Sequence, residues 1–199
     1  MGLSIHYKGK FNRNASLNEM INEVKDICEV YKWEYHIFET KFSKSGFTKT
    51  YNDNIYGICF TPPGCETISL EFLSNGRMSS IVNLKCFSSP EQKKYKKYLY
   101  FISVKTQYAG IKIHVLVIQF LKYLSKKYFL NFNVSDEGKY WETGDLEILK
   151  KQFKLYNALI DDFSLGLQTI ELQEGETIED YIKRLANKIH SNRIKGEKE

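Results

Sequence analysis

Apolar and polar positions alternate along this chain with two periods, and each change of period marks an element. Leu3, Ile5 and Tyr7 interleave with Ser4, His6 and Lys8, which predicts an opening strand that ends at Gly9. Leu17, Met20, Ile21, Val24, Ile27, Cys28 and Tyr31 then recur at helical spacing opposite Asn22, Glu23, Lys25, Asp26 and Glu29. Ser16 and Glu19 supply a Ser-x-x-Glu capping box at the start of this run, so an amphipathic helix covering a sheet is expected. Period two returns over 33–42, with Trp33, Tyr35, Ile37 and Glu39 on one side and Glu34, His36, Phe38 and Thr40 on the other. Beyond a polar loop over 43–54, strands are expected at 56–60 and 67–73, divided by Pro62 and Pro63. Asn75 and Gly76 provide left-handed backbone for a tight hairpin, whose returning strand is expected over 78–87.

The second half is mostly helical. After a β-branched and aromatic strand over 98–106, residues 111–129 are apolar around most of a helix, leaving a polar stripe at Lys112, Gln119, Lys122 and Lys126. That pattern predicts the central helix. A short strand at 132–134 leads to a helix over 146–167, which packs through Leu149, Phe153, Tyr156, Leu159, Ile160, Phe163 and Leu167. A last helix follows a Thr177 cap, and 193–199 is expected to fray. The expected fold is α+β: a single domain over 1–192, with a curved antiparallel sheet, helices on one face and two further C-terminal helices. In element order, strand, helix, four or five strands, helix, it resembles the TATA-box-binding-protein-like and helix-grip architectures.

Composition narrows the classes. With 199 residues, 42% of them hydrophobic, the chain can bury a core without disulfides or a structural metal. No run approaches the ~20 apolar residues of a membrane span. The first residues lack the pattern of an export signal, so a cytoplasmic protein is expected. Cys28, Cys59, Cys65 and Cys86 form no Cys-x-x-Cys pair, which predicts free, buried thiols. Glycine-rich phosphate loops and a Gly-x-Ser-x-Gly elbow do not occur, and His6, His36 and His114 stand in no metal-ligand spacing. Neither a cofactor nor a metal is expected.

Chemistry concentrates in 135–145, where Asp136, Glu137, Glu142 and Asp145 accompany Tyr140 and Trp141. Carboxylates beside a Trp suit general acid–base work, because an apolar neighbour raises one pKa while an exposed group stays ionised. Glu137, Glu142 and Asp145 are therefore the catalytic candidates. The structural reading is simpler and ranks first: Asp145 or Thr143 caps the following helix, Glu142 favours its positive N-terminal end and the aromatics anchor the loop, with an interaction surface second and catalysis third. His114 faces the apolar side of the central helix and is expected to be a hydrogen-bonded core histidine. Lys93, Lys94, Lys96 and Lys97, interleaved with Tyr95, Tyr98 and Tyr100, have the mixture used on nucleic-acid backbones. Against that, 24 acidic residues hold the net charge to +5, and a solvated loop or lysines flanking a strand explain the run more simply.

The segments Ser-Asp-Glu-Gly-Lys-Tyr-Trp-Glu-Thr-Gly-Asp from Ser135, Tyr-Gly-Ile-Cys-Phe-Thr-Pro-Pro-Gly-Cys-Glu from Tyr56 and Leu-Ser-Asn-Gly-Arg from Leu73 resemble a group of small uncharacterised bacterial proteins. The resemblance covers most of the chain and implies no activity or cofactor. It does imply that Pro63, Gly64, Glu66, Arg77, Glu137, Tyr140, Trp141, Glu142 and Asp145 belong to one feature. Glu66, Arg77, Asp136, Tyr140 and Trp141 are accordingly the binding candidates. The leading expectation is a stand-alone binding protein of regulatory or immunity type with a protein partner. The alternatives are a small-molecule or hydrolase-like cavity lined by Trp33, Tyr35, His36 and Trp141, and weak nucleic-acid binding through 93–100.

Overall fold

Strand β1, Ser4–Phe11, buries Ile5, Tyr7 and Phe11 and turns His6, Lys8 and Lys10 outward. The computed structural model describes residues 2–43 and 46–196, leaving aside the side chains of Pro90, Gln92, Lys93 and 192–196. Helix α1, Leu17–Tyr31, starts as expected: Ser16 Oγ accepts the Glu19 N–H at 3.2 Å, and the buried face is Leu17, Met20, Ile21, Val24 and Cys28. Strands β2 (Glu34–Ile37), β3 (Ile55–Thr61), β4 (Ile68–Leu73) and β5 (Met78–Ser79) form a four-stranded antiparallel sheet in that order. Next come α2 (Ile81–Phe87), a 3-10 helix (Pro90–Tyr100), β6 (Ile102–Lys105), α3 (Gly110–Tyr128) and β7 (Phe129–Asp136). β6 and β7 pair antiparallel on either side of β1. Short α4 (Tyr140–Thr143), then α5 (Leu146–Thr169) and α6 (Ile178–Gly196), complete the chain.

The antiparallel α+β architecture is the one the periodicities predict. Where one curved sheet was expected the strands form two, of four and three strands, and the seam between them is crossed at one end by the Lys10–Arg77 bridge and by Phe11 N–H donating to Gly76 O at 2.8 Å. At the other end the Glu66 N–H donates to Lys105 O at 3.1 Å. The main core fills the inner face, where Tyr7, Phe11, Ile58, Phe60, Leu70 and Phe72 meet residues of α1 and α3. Helices are not confined to that face. Leu84 of α2 and Leu99 of the 3-10 helix cover Ile55 and Leu73 on the other side, so β4 is buried throughout.

Several boundaries differ from expectation, each for a local reason. The strand expected over 78–87 stops at Ser79 because Ser80 Oγ accepts the Asn83 N–H and the Glu71 carboxylate accepts that of Ile81, which together start a helix. Residues 98–100 belong to the 3-10 helix, so β6 keeps only the second half of the expected strand. β2 ends at Ile37, after which Glu39 makes a single parallel bridge to Tyr56. β7 is longer than expected because it continues directly from α3, absorbing a register shift opposite Lys8 and Lys10 with Asn131 in left-handed conformation at φ 51°. The hairpin at Asn75 and Gly76 is present, with Gly76 alone at positive φ. α6 runs to Gly196, into the segment expected to fray, and 197–199 lie outside the described residues. The thiols are free as expected; Cys28 is buried, Cys59 and Cys65 are half-buried, and Cys86 is exposed.

Candidate functional site

The acidic-aromatic segment is chiefly a structural joint. Asp136 ends β7 with a fully buried side chain, and its carboxylate accepts the N–H groups of Gly138 (2.7 Å), Tyr140 (2.8 Å) and Trp141 (3.0 Å). His114 Nε2 lies 3.1 Å from its Oδ1, while Nδ1 of the same ring meets Thr106 Oγ1 at 2.7 Å. Burial pushes the Asp136 carboxyl up, but the His114 hydrogen bond and charge and the backbone N–H groups outweigh burial and hold it below the usual range. His114 is thus the hydrogen-bonded core histidine that its helical position predicts. Trp141 packs edge-on against Phe132, with the Lys122 ammonium 5.3 Å from its ring centre, and Tyr140 lies against the core.

The other acidic candidates are held on separate elements. Glu137 Oε2 accepts the Ser4 N–H at 2.7 Å, and its Oε1 stands 3.7 Å from His6 Nε2. Glu66 accepts the Lys105 N–H at 2.7 Å. Asp145 caps α5, accepting from Glu147 and Ile148, and Glu142 is exposed on α4. These carboxylates therefore do not assemble with Arg77 into one feature. Among the described residues, no three His, Cys, Asp or Glu side chains are placed to hold a metal ion.

Nor do the four residues expected to line a small-molecule cavity share one. Trp33 lines a groove of about 320 Å³ with Ile27, Tyr31, Phe60, Phe120 and Tyr123, a lining without carboxylate, histidine or cysteine. Tyr35 is exposed and donates to Glu29, His36 is exposed against Phe38, and Trp141 lies elsewhere. Hydrolytic chemistry finds no acid–base pair in this groove.

A different cavity gathers charge and rings. It measures about 720 Å³ and is lined by Lys8, Arg77, Lys96, Lys97, Tyr98, Tyr100 and Phe101. Lys8 arrives from the outward face of β1, and Phe101 from the residue preceding β6, next to the Tyr7–Ile102 pair. Arg77 follows the hairpin; its guanidinium sits 3.3 Å from the Tyr100 ring centre, and Asn75 Nδ2 donates to the Tyr100 hydroxyl at 3.3 Å. The three-residue repeat of the 3-10 helix stacks Tyr95 on Tyr98, with centroids 6.4 Å apart, and the Lys97 ammonium lies 5.0 Å from the Tyr98 ring centre. His6 stacks on Phe101 at 5.3 Å. Lys94 lies over Tyr95, outside this lining, and the side chain of Lys93 lies outside the described residues.

The lysine run lies on the 3-10 helix that precedes the edge strand β6, and two of its members, Lys96 and Lys97, enter a cavity with Lys8 of β1 and Arg77 of the hairpin. Lys8 and Phe101 were not candidates from sequence. The outward alternation of His6, Lys8 and Lys10 on β1 is the pattern that points to them. Among the described residues, no helix is long and apolar enough to cross a membrane. Comparison with known proteins finds no family model, no curated protein and no solved structure that matches this chain.

Proposed function

We propose that the protein binds nucleic acid, with the cavity between β1 and the 3-10 helix holding the phosphate backbone. One observation carries this reading: four cations and three rings line a single concavity whose lining includes no carboxylate. A chain with net charge +5 has little excess charge to spread, so collecting Lys8, Arg77, Lys96 and Lys97 at one place makes a local positive field. The Arg77 guanidinium, held against Tyr100 and behind a short hairpin, loses little freedom on meeting a phosphate. Each phosphate neutralised releases counterions, so affinity should fall steeply with salt, by a log–log slope of about −0.7 to −0.9 per contact.

Fluorescence anisotropy with a labelled oligonucleotide tests this. Lys96→Glu combined with Lys97→Glu should weaken binding at least tenfold and flatten the salt slope. Affinity that ignores both salt and these substitutions would remove the proposal.

A protein partner is the second reading, supported by the exposed Leu165, Leu167, Leu172 and Ile178 around the α5–α6 connection. In that case Leu165→Glu with Ile178→Glu should abolish co-purification of a stoichiometric partner while leaving oligonucleotide binding intact.

A further inference from the structure

Building on the nucleic-acid reading, we propose that the ligand is single-stranded and runs along the outward face of β1, with unpaired bases stacked on Tyr98 and Phe101. The rings make the distinction. Tyr98 is 41% exposed and Phe101 40% exposed, both within the cationic lining. In a duplex the π-faces of the bases are covered by neighbouring pairs, so exposed rings add nothing to its binding beyond contact with the backbone. A single strand can turn a base onto each ring, and such stacking is tolerant of sequence.

The sheet face supplies the rest of a track. His6, Lys8 and Lys10 project outward at every second residue, about 6.8 Å apart along a strand. That is twice the ~3.4 Å axial spacing of charges on one duplex strand, and it suits a strand drawn out of its stack. Across the ladder, His6 pairs with Ser103 and Ser135, and Lys8 with Asn133; all three partners are exposed, uncharged hydrogen-bonding groups suited to base edges or sugar hydroxyls. Lys10 extends the track beside Arg77 through their bridge. At the opposite end, the Glu137 carboxylate beside His6 sets a negative boundary where the track stops.

The experiment compares oligo(dT) and oligo(U) of about 12 nucleotides, a length within the range one such module covers, with a duplex of the same length and with heparin. Single strands should bind at least tenfold more tightly than duplex or heparin. Tyr98→Leu with Phe101→Leu should lower single-strand affinity at least ~30-fold and leave duplex affinity within about twofold, as expected when base stacking contributes ~1–3 kcal/mol for each of the two rings. Should the double variant unfold, Phe101→Leu alone carries the comparison, since Tyr98 also packs on Phe87. Equal binding of single strand and duplex, or ring variants without effect, overturns the single-strand inference and leaves backbone binding standing. Absence of salt-dependent binding to every probe overturns both. Oligo(dU), run beside oligo(dT) and oligo(U), separates DNA from RNA through the 2′-hydroxyl without the thymine methyl group.

Discussion

The Tyr7 hydroxyl donates to the Ser69 carbonyl at 2.9 Å and accepts the Ser69 N–H at 3.1 Å, so one side chain of β1 satisfies both backbone groups of a residue on β4. β5, only two residues long, pairs with Glu71 and Phe72 and does not reach Ser69. Tyr7 therefore does across the seam what a neighbouring strand would do. Burial drives its phenol far above the ordinary range, which keeps the donor proton in place at every working pH. Tyr7→Phe should destabilise the fold by about 1–3 kcal/mol in urea unfolding, because two buried backbone groups lose their partner. A change below about 0.5 kcal/mol would show that packing alone closes the seam.

Removing one partner of the His114–Asp136 pair leaves a buried polar group exposed to no compensating charge. Asp136→Asn should cost about 3 kcal/mol. The pH dependence has a definite sign. The folded carboxyl is held below its unfolded value of ~3.9, so its contribution is complete above that value and is lost as pH falls through the folded one. Urea midpoints across the acid range should show this decline in the native chain and a shallower one in Asp136→Asn.

Glu71 has the opposite sign. Burial raises its carboxyl, and this outweighs the lowering by hydrogen bonds from Ser69, the Ile81 N–H and Cys59. Its contribution is greatest below the unfolded value of ~4.3 and declines as pH rises through the raised folded value. Glu71→Gln should remove that decline. Thermal unfolding should then show the variant gaining on the native protein between acid and neutral pH; parallel curves would mean that Glu71 ionises freely.

Gly57 lies at φ +119°, and a Cβ there would stand 2.2 Å from the Leu70 carbonyl oxygen. The obstacle is backbone on the paired strand, which has no rotamer to move. Gly57→Ala should lose several kcal/mol, on the order of 3 or more, and yield little folded protein. A native-like urea midpoint would contradict this placement of β3 against β4.

Elements with their stop and start written locally were legible in the sequence. Ser16 caps α1, Asp145 caps α5, Gly76 turns the hairpin, and the narrow polar stripe marks α3. What the pattern could not contain were partners far away in the chain. Ile81, Val82 and Leu84 suit strand or helix equally, and the Glu71 carboxylate on the Ile81 N–H helps select the helix. The acidic residues of 135–145 look like a catalytic cluster in one dimension, yet Glu137 is claimed by the Ser4 N–H at the far end of the chain, while backbone N–H groups two to five residues on claim Asp136 and Asp145. The basic cavity was half visible: Lys96 and Lys97 sit in an obvious run, whereas Lys8 and Arg77 join them only because β1 crosses the seam at the Lys10–Arg77 bridge.

The position of β1 has a consequence in time. It is synthesised before both of its partner strands, and Ile5 waits for Val104 on one side and Asp136 on the other. At ~5–20 residues per second, a nascent chain carries this unpaired strand on the order of ten seconds, during which each open edge can recruit another chain. Lys8 and Lys10 place like charges on the waiting segment and oppose such self-pairing. The ammonium groups proposed to hold a polyanion thus also guard the polypeptide before it has a fold, and replacing them by neutral residues would expose newly made protein to aggregation even where the finished molecule is equally stable.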